Sequence, residues 1–120
     1  VALLRKIIPP YAMAQPTVEA ALQALSPPAQ AVARERIAAT IAERERMAES
    51  LAKSTRVVRV WPSAANFLLV EFHDAGAALQ SIKDAGLIVR DFRGAAGLGE
   101  ALRITLGTPE QNGRVIRSLA

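Results

Sequence analysis

Two arginines stand inside apolar runs on either side of a glycine-rich stretch: Arg90 and Arg103, within residues 87–107, LIVRDFRGAAGLGEALRITLG. A guanidinium is permanently charged and carries five donors in a rigid fork, which matches a carboxylate or a phosphate at two points. If each apolar run is a strand, successive side chains alternate between faces. Ile88, Arg90 and Phe92 then share one side, and Leu87, Val89 and Asp91 the other. By the same rule Ala101, Arg103 and Thr105 lie opposite Leu102, Ile104 and Leu106, and Glu100 points away from Arg103. Neither arginine has a local carboxylate. A partly desolvated cation without a counter-charge is costly, so the pattern points to an anionic ligand. Gly94, Gly97 and Gly99 would let the intervening backbone bend tightly and approach such a ligand. The competing reading is that both arginines run their aliphatic stems along edge strands and leave their heads in water. Spacing alone leaves both readings open.

The elements that must hold these residues are legible from pattern and punctuation. Residues 11–25 predict a short helix with Pro16 in its first turn and Val18, Ala21, Leu22 and Leu25 on one face. Residues 26–54 predict a long helix, capped by Ser26 and opened by Pro27, with Ala33, Ile37, Ile41, Ala48 and Leu51 as its apolar face. Glu43 with Arg46 and Glu49 with Lys53 read as pairs on its solvated side. Beyond Ser54 the composition turns β-branched: residues 55–61, 67–72, 87–92 and 101–106 predict four strands. Asp74 opens a helix that Gly86 stops, with Ala75, Leu79 and Ile82 facing inward. Thr108, Pro109 and Gln111 form a capping-box start for a last helix. One long leading helix, then strands alternating with helices, predicts an α/β two-layer (α+β) fold: a small, mostly antiparallel sheet covered by helices on one face.

A chain of 120 residues suffices for one domain with a core. A net charge of +4 raises nucleic acid as a partner, but the cations are dispersed among acids and aromatics make up only 4%, too few for base stacking. No apolar run is long enough to cross a membrane and no signal peptide is evident, so a cytoplasmic location is expected, in keeping with the absence of cysteine. The start at Val1, without cap or turn, is what a segment of a longer polypeptide would show. His73 stands without a second imidazole or any thiol, so no metal site is expected. No nucleophile-elbow or phosphate-loop motif is present.

Four segments, PPYAMAQP at 9–16, SAANFLLVEF at 63–72, GLIVRDF at 86–92 and LRITLGTPEQNGRVIRSL at 102–119, together resemble the C-terminal part of the histidinol-phosphate aminotransferases. These belong to the fold-type I superfamily of pyridoxal-phosphate enzymes. The resemblance covers essentially the whole chain, and its specific part is RD followed, after a glycine-containing loop, by LRITLGT. It implies that residues 1–25 are a connecting segment with a short helix and that 26–120 are the small domain packed on a larger cofactor domain. It further implies that Arg103 binds the α-carboxylate of glutamate or 2-oxoglutarate. Arg90 would receive the distal anion, either the phosphate of histidinol phosphate or the side-chain carboxylate of glutamate. Tyr11 and Asn66 match family positions near the pocket, with a structural role in their turns as the alternative; the family's proline after the tyrosine is Ala12 here.

A transaminase also needs a Schiff-base lysine that moves protons. The lysines are Lys6, Lys53 and Lys83, and none sits in the serine-rich loop that the family uses. The resemblance therefore implies that pyridoxal 5'-phosphate is bound by an upstream domain, that these residues are inactive alone and that the complete enzyme is a homodimer. The alternatives are the small domain of a threonine-phosphate decarboxylase or an aromatic aminotransferase, and a free-standing anion-binding or regulatory module.

Overall fold

A threonine, a proline and a glutamine in the right order start the last helix. Thr108 accepts from the Gln111 N–H, the Gln111 side chain accepts from the Thr108 N–H, and Pro109 fills the first turn. The expected capping box is complete. The computed structural model describes Leu3, Lys6 and residues 13–120. Its elements in chain order are helix α1 (Gln15–Ala24), helix α2 (Pro27–Ala52), strand β1 (Val57–Val60), strand β2 (Phe67–Phe72), helix α3 (Ala75–Asp84), strand β3 (Arg90–Asp91), strand β4 (Ala101–Thr105) and helix α4 (Pro109–Ser118).

The chain divides into two compact units, Val1–Arg36 and Ile37–Ala120. In the first, α1 has Pro16 in its first turn and no buried residue, with Leu22 and Leu25 exposed. The Ser26 carbonyl takes the first bond of α2, from the Gln30 N–H.

The second unit holds the sheet, in the order β1-β2-β4-β3, and each neighbouring pair is antiparallel. Strict alternation along β2 buries Leu68, Val70 and Phe72, which meet Leu102 and Ile104 of β4 on the same face. That face is covered by Ala75, Ala78 and Ile82 of α3, by Val115 of α4 with Leu119 just past its end, and by Met47 and Leu51 of α2. The fold is thus a two-layer arrangement, with helices on one side of a small antiparallel sheet. Asp74 caps α3 by accepting from the Ala77 N–H, and Gly86 ends that segment in the left-handed conformation, φ 71°, that favours glycine.

Two expectations need correction. The apolar face predicted for the long helix is buried only in its last turns, where Met47 and Leu51 enter the core; Ala33, Ile37 and Ile41 are exposed. The predicted third strand shrinks from residues 87–92 to Arg90–Asp91. The Leu87 N–H is committed to the Ile82 carbonyl at the end of α3, and Leu87 and Val89 turn into the core, so the ladder opens before it reaches them. The alternation survives: Leu87 and Val89 pack inward while Ile88 is 93% exposed.

The pair Glu43 and Arg46 forms as expected, at 2.7 Å, but Glu43 is more than solvated surface. Its carboxylate also accepts from the side-chain amide of Asn112, which is buried and closes the β4–α4 turn by bonding both the N–H and the carbonyl of Gly107. The Arg46 guanidinium and then the Asn112 amide hold the Glu43 carboxyl down at about 2, against an ordinary 4.5. A lowered folded-state value stabilises the fold above the ordinary value, and that contribution fades as pH falls towards 2. Glu43→Gln is accordingly expected to lower the urea midpoint at neutral pH, with the difference from the parent shrinking steadily below about pH 4.5. A difference that stays constant down to acid pH would contradict this role for the charge.

Candidate functional site

The register of the two last strands settles where the arginines point. Arg90 lies directly opposite Arg103 across the β3–β4 ladder, and residues opposed in this way project from the same face, with Cβ atoms about 5 Å apart. That face is opposite the one covered by α3, α4 and the end of α2. Phe67 and Leu69 of β2 share it, opposite Thr105 and Arg103, as does Phe92, whose N–H bonds the Ala101 carbonyl.

Sheet order separates the two arginines energetically. β3 is the edge strand and Arg90 is exposed on it, so a stem-along-the-sheet, head-in-water arrangement describes that residue. It does not describe Arg103. This arginine stands on the interior strand β4, is half-buried, and its Nε is buried with no hydrogen-bond partner among the described residues. What flanks its guanidinium is aromatic: the carbon Cζ lies 5.2 Å from the centre of the Phe67 ring and 5.8 Å from that of Phe92. The Cζ of Arg90 lies 5.9 Å from the same Phe92 ring. Two like charges in cross-strand register repel each other. Among the described residues neither is in an ion pair. Glu71 shares the face, opposite Arg59 and Ala101, and forms no ion pair with Arg103.

The acidic neighbours are engaged elsewhere, as the alternation predicted. Asp91 pairs with Arg93 at 2.6 Å and accepts the Arg93 N–H as well. The Arg93 guanidinium, followed by that backbone bond, holds the Asp91 carboxyl down at about 2. Glu100 turns to the helix side and accepts from the Ala75 N–H at the start of α3. Between the arginines, Gly97 and Gly99 adopt left-handed conformations, φ 80° and 53°, so the loop that separates them requires glycine at both points.

Of the other residues singled out from sequence, Asn66 is exposed just before β2, and its carbonyl accepts from the Leu106 N–H, extending the β2–β4 ladder. That places it on the strand next to Arg103, one residue before Phe67. Tyr11 lies outside the described residues. The arginines share a face, and neither lines the hollow at residues 87–89 beside α4 or the one at Trp61 beside α2. Phe67 and Phe92 were not singled out as site residues. Alternation puts Phe92 on the Arg90 side of its own run, a signal the sequence did carry, whereas Phe67 joins that face only through the β2–β4 register.

Among the described residues no helix is long and apolar enough to cross a membrane. Comparison with known proteins gives the family and its relatives. The profile of the aminotransferase class I and II family matches residues 1–119. A histidinol-phosphate aminotransferase of Xanthomonas euvesicatoria pv. vesicatoria is 53% identical over 119 residues, which cover 99% of this chain and 33% of that protein. One from Stenotrophomonas maltophilia is 48% identical over 120 residues, covering 100% of this chain and 33% of that protein. The chain thus spans about a third of the length of these relatives. Among solved structures, the histidinol-phosphate aminotransferase of Clostridium acetobutylicum aligns with a TM-score of 0.58 at 25% identity, covering 64% of this chain and 24% of that one. A decarboxylase from Sulfurospirillum multivorans shares the fold with a TM-score of 0.79 at 24% identity, covering 98% of this chain and 34% of that one.

Proposed function

This chain belongs to the aminotransferase class I and II family, and from that membership we propose that residues 26–120 serve as the C-terminal small domain of a histidinol-phosphate aminotransferase, with 1–25 as the segment leading into it. The complete enzyme moves an amino group between L-histidinol phosphate and 2-oxoglutarate, giving imidazole-acetol phosphate and glutamate, and works as a cytoplasmic homodimer. The observation that carries this reading is the half-buried guanidinium of Arg103, without an anionic partner among the described residues, beside a second cation on the same face.

The family uses pyridoxal phosphate, which supplies the electron sink for amino transfer once it is bound. The residues present do not fit a seat for it. Lys53 and Lys83 are exposed at the end of α2 and on α3, in the helix layer, and Lys6 belongs to the first unit. The cofactor and its lysine therefore belong to the remaining two thirds of the polypeptide. What this chain contributes is anion binding. Arg103 takes the α-carboxylate of glutamate or 2-oxoglutarate in two-point, charge-assisted bonds. Arg90, on the exposed edge, takes the distal anion, the second carboxylate or the phosphate of histidinol phosphate. Asn66, just before Phe67, is a secondary candidate for substrate contact, and Tyr11 is one by the family resemblance alone. Holding the substrate by groups remote from the reacting carbon turns binding energy into alignment at that carbon.

The test is substrate preference of the complete protein. With histidinol phosphate as amino donor, kcat/KM is expected to exceed that with phenylalanine by about a hundredfold or more, because the site holds a paired cation for the phosphate. Faster turnover of phenylalanine, or decarboxylation of threonine phosphate, would assign the chain to another member of the family. An absence of any turnover, together with oligonucleotide binding that weakens steeply with salt, would favour a binding module.

A further inference from the structure

Phe92 is a neutral side chain with no polar atom, yet both guanidiniums lie within reach of its face, Arg103 at 5.8 Å and Arg90 at 5.9 Å. The negative face of an aromatic ring attracts a cation within about 6 Å. Arg103 has a second ring, Phe67, at 5.2 Å; the ring contact of Arg90 is with Phe92. Cross-strand register would otherwise drive the two cations apart, and no carboxylate among the described residues pairs with either. Phe92 follows β3 directly and is half-buried, and the loop beyond it is pinned: the Ala95 N–H bonds the Phe92 carbonyl, and Arg93 is tied back to Asp91. The backbone that carries the ring is therefore held by the chain's own contacts.

We propose that Phe92 is a positioning residue which holds the two guanidiniums at a set separation and so tunes the site to a substrate with two anionic ends. This rests on the substrate-anion reading of Arg90 and Arg103. Its consequence is directional. Losing the Phe92 ring leaves Arg103 with Phe67 but leaves Arg90 without its ring contact, so the distal anion suffers more than the α-carboxylate.

The experiment compares parent, Phe92→Leu, Phe92→Tyr and Arg103→Ala in the complete protein, measuring KM and kcat for glutamate and the Kd of glutarate, a dicarboxylate without the amino group. Phe92→Leu is expected to raise KM and the glutarate Kd about three- to fivefold, with a smaller change in kcat. Phe92→Tyr, which keeps the ring, is expected to restore both to within about twofold of the parent. Equal KM and Kd for Phe92→Leu and parent, alongside a severe defect in Arg103→Ala, would overturn the role of Phe92 and leave the substrate site standing. Equal losses in the leucine and tyrosine variants would likewise overturn it, since packing and not the ring would then be at work. Normal behaviour of Arg103→Ala would instead remove the substrate-anion reading, and this inference with it.

Discussion

Replacing Arg103 with alanine in the complete protein should raise KM for glutamate by about a hundredfold or more while leaving the fold intact. The magnitude follows from what is lost. A partly buried, two-point guanidinium–carboxylate contact loses about 2–5 kcal/mol when one partner is truncated, and 2.8 kcal/mol is already about a hundredfold. The fold should be spared for an equally physical reason. Arg103 forms no ion pair among the described residues, and its Nε is buried without a partner, so its removal takes away no internal polar contact. Arg103→Lys should recover only part of the loss, because an ammonium offers a point charge in place of a fork. Steady-state kinetics with glutamate, paired with a thermal melt of each variant, checks both halves.

The second large effect concerns stability. Phe72 ends β2 on the helix side, is 1% exposed, and heads the fully buried side chains by volume. Phe72→Ala should cost about 3–5 kcal/mol, the lost transfer free energy plus the cavity it leaves. That is a large share of the roughly 5–15 kcal/mol that holds a typical domain together. Ile88→Ala is the control. Ile88 is comparably apolar but 93% exposed, and its truncation should stay within about 0.5 kcal/mol. Urea midpoints of the two variants measure the contrast, and similar shifts would contradict the assignment of the inner and outer faces.

How far the sequence itself reached can be seen at these same residues. The alternation in FLLVEF and ALRIT is a local signal, and it sets Arg103 on the face opposite Leu102 and Ile104, and Phe72 with Leu68 and Val70, as the structure has them. The capping residues Asp74 and Thr108 are local too, and both act as their types suggest. What the sequence could not supply is non-local. Strand order decides that Arg103 stands on an interior strand and Arg90 on an edge, and thereby that only one of them fits the water-exposed reading. The buried amide of Asn112 reads in sequence as one more polar helix residue; its partners are Glu43, far away along the chain, and Gly107, and only the packed fold brings them together. The apolar periodicity of α2 runs on past the point where its partners end, because a pattern records which face could be buried and not how much of it finds cover.

The central claim is that Arg103 receives a carboxylate of the substrate, and it can be tested at equilibrium, apart from catalysis. The measurement is the affinity of the complete protein for glutarate by titration calorimetry, with Arg103 present and with alanine in its place. A loss of about a hundredfold is the result expected. Equal affinity in the two proteins would mean that the carboxylate binds elsewhere, and that the paired arginines of this face serve some other end.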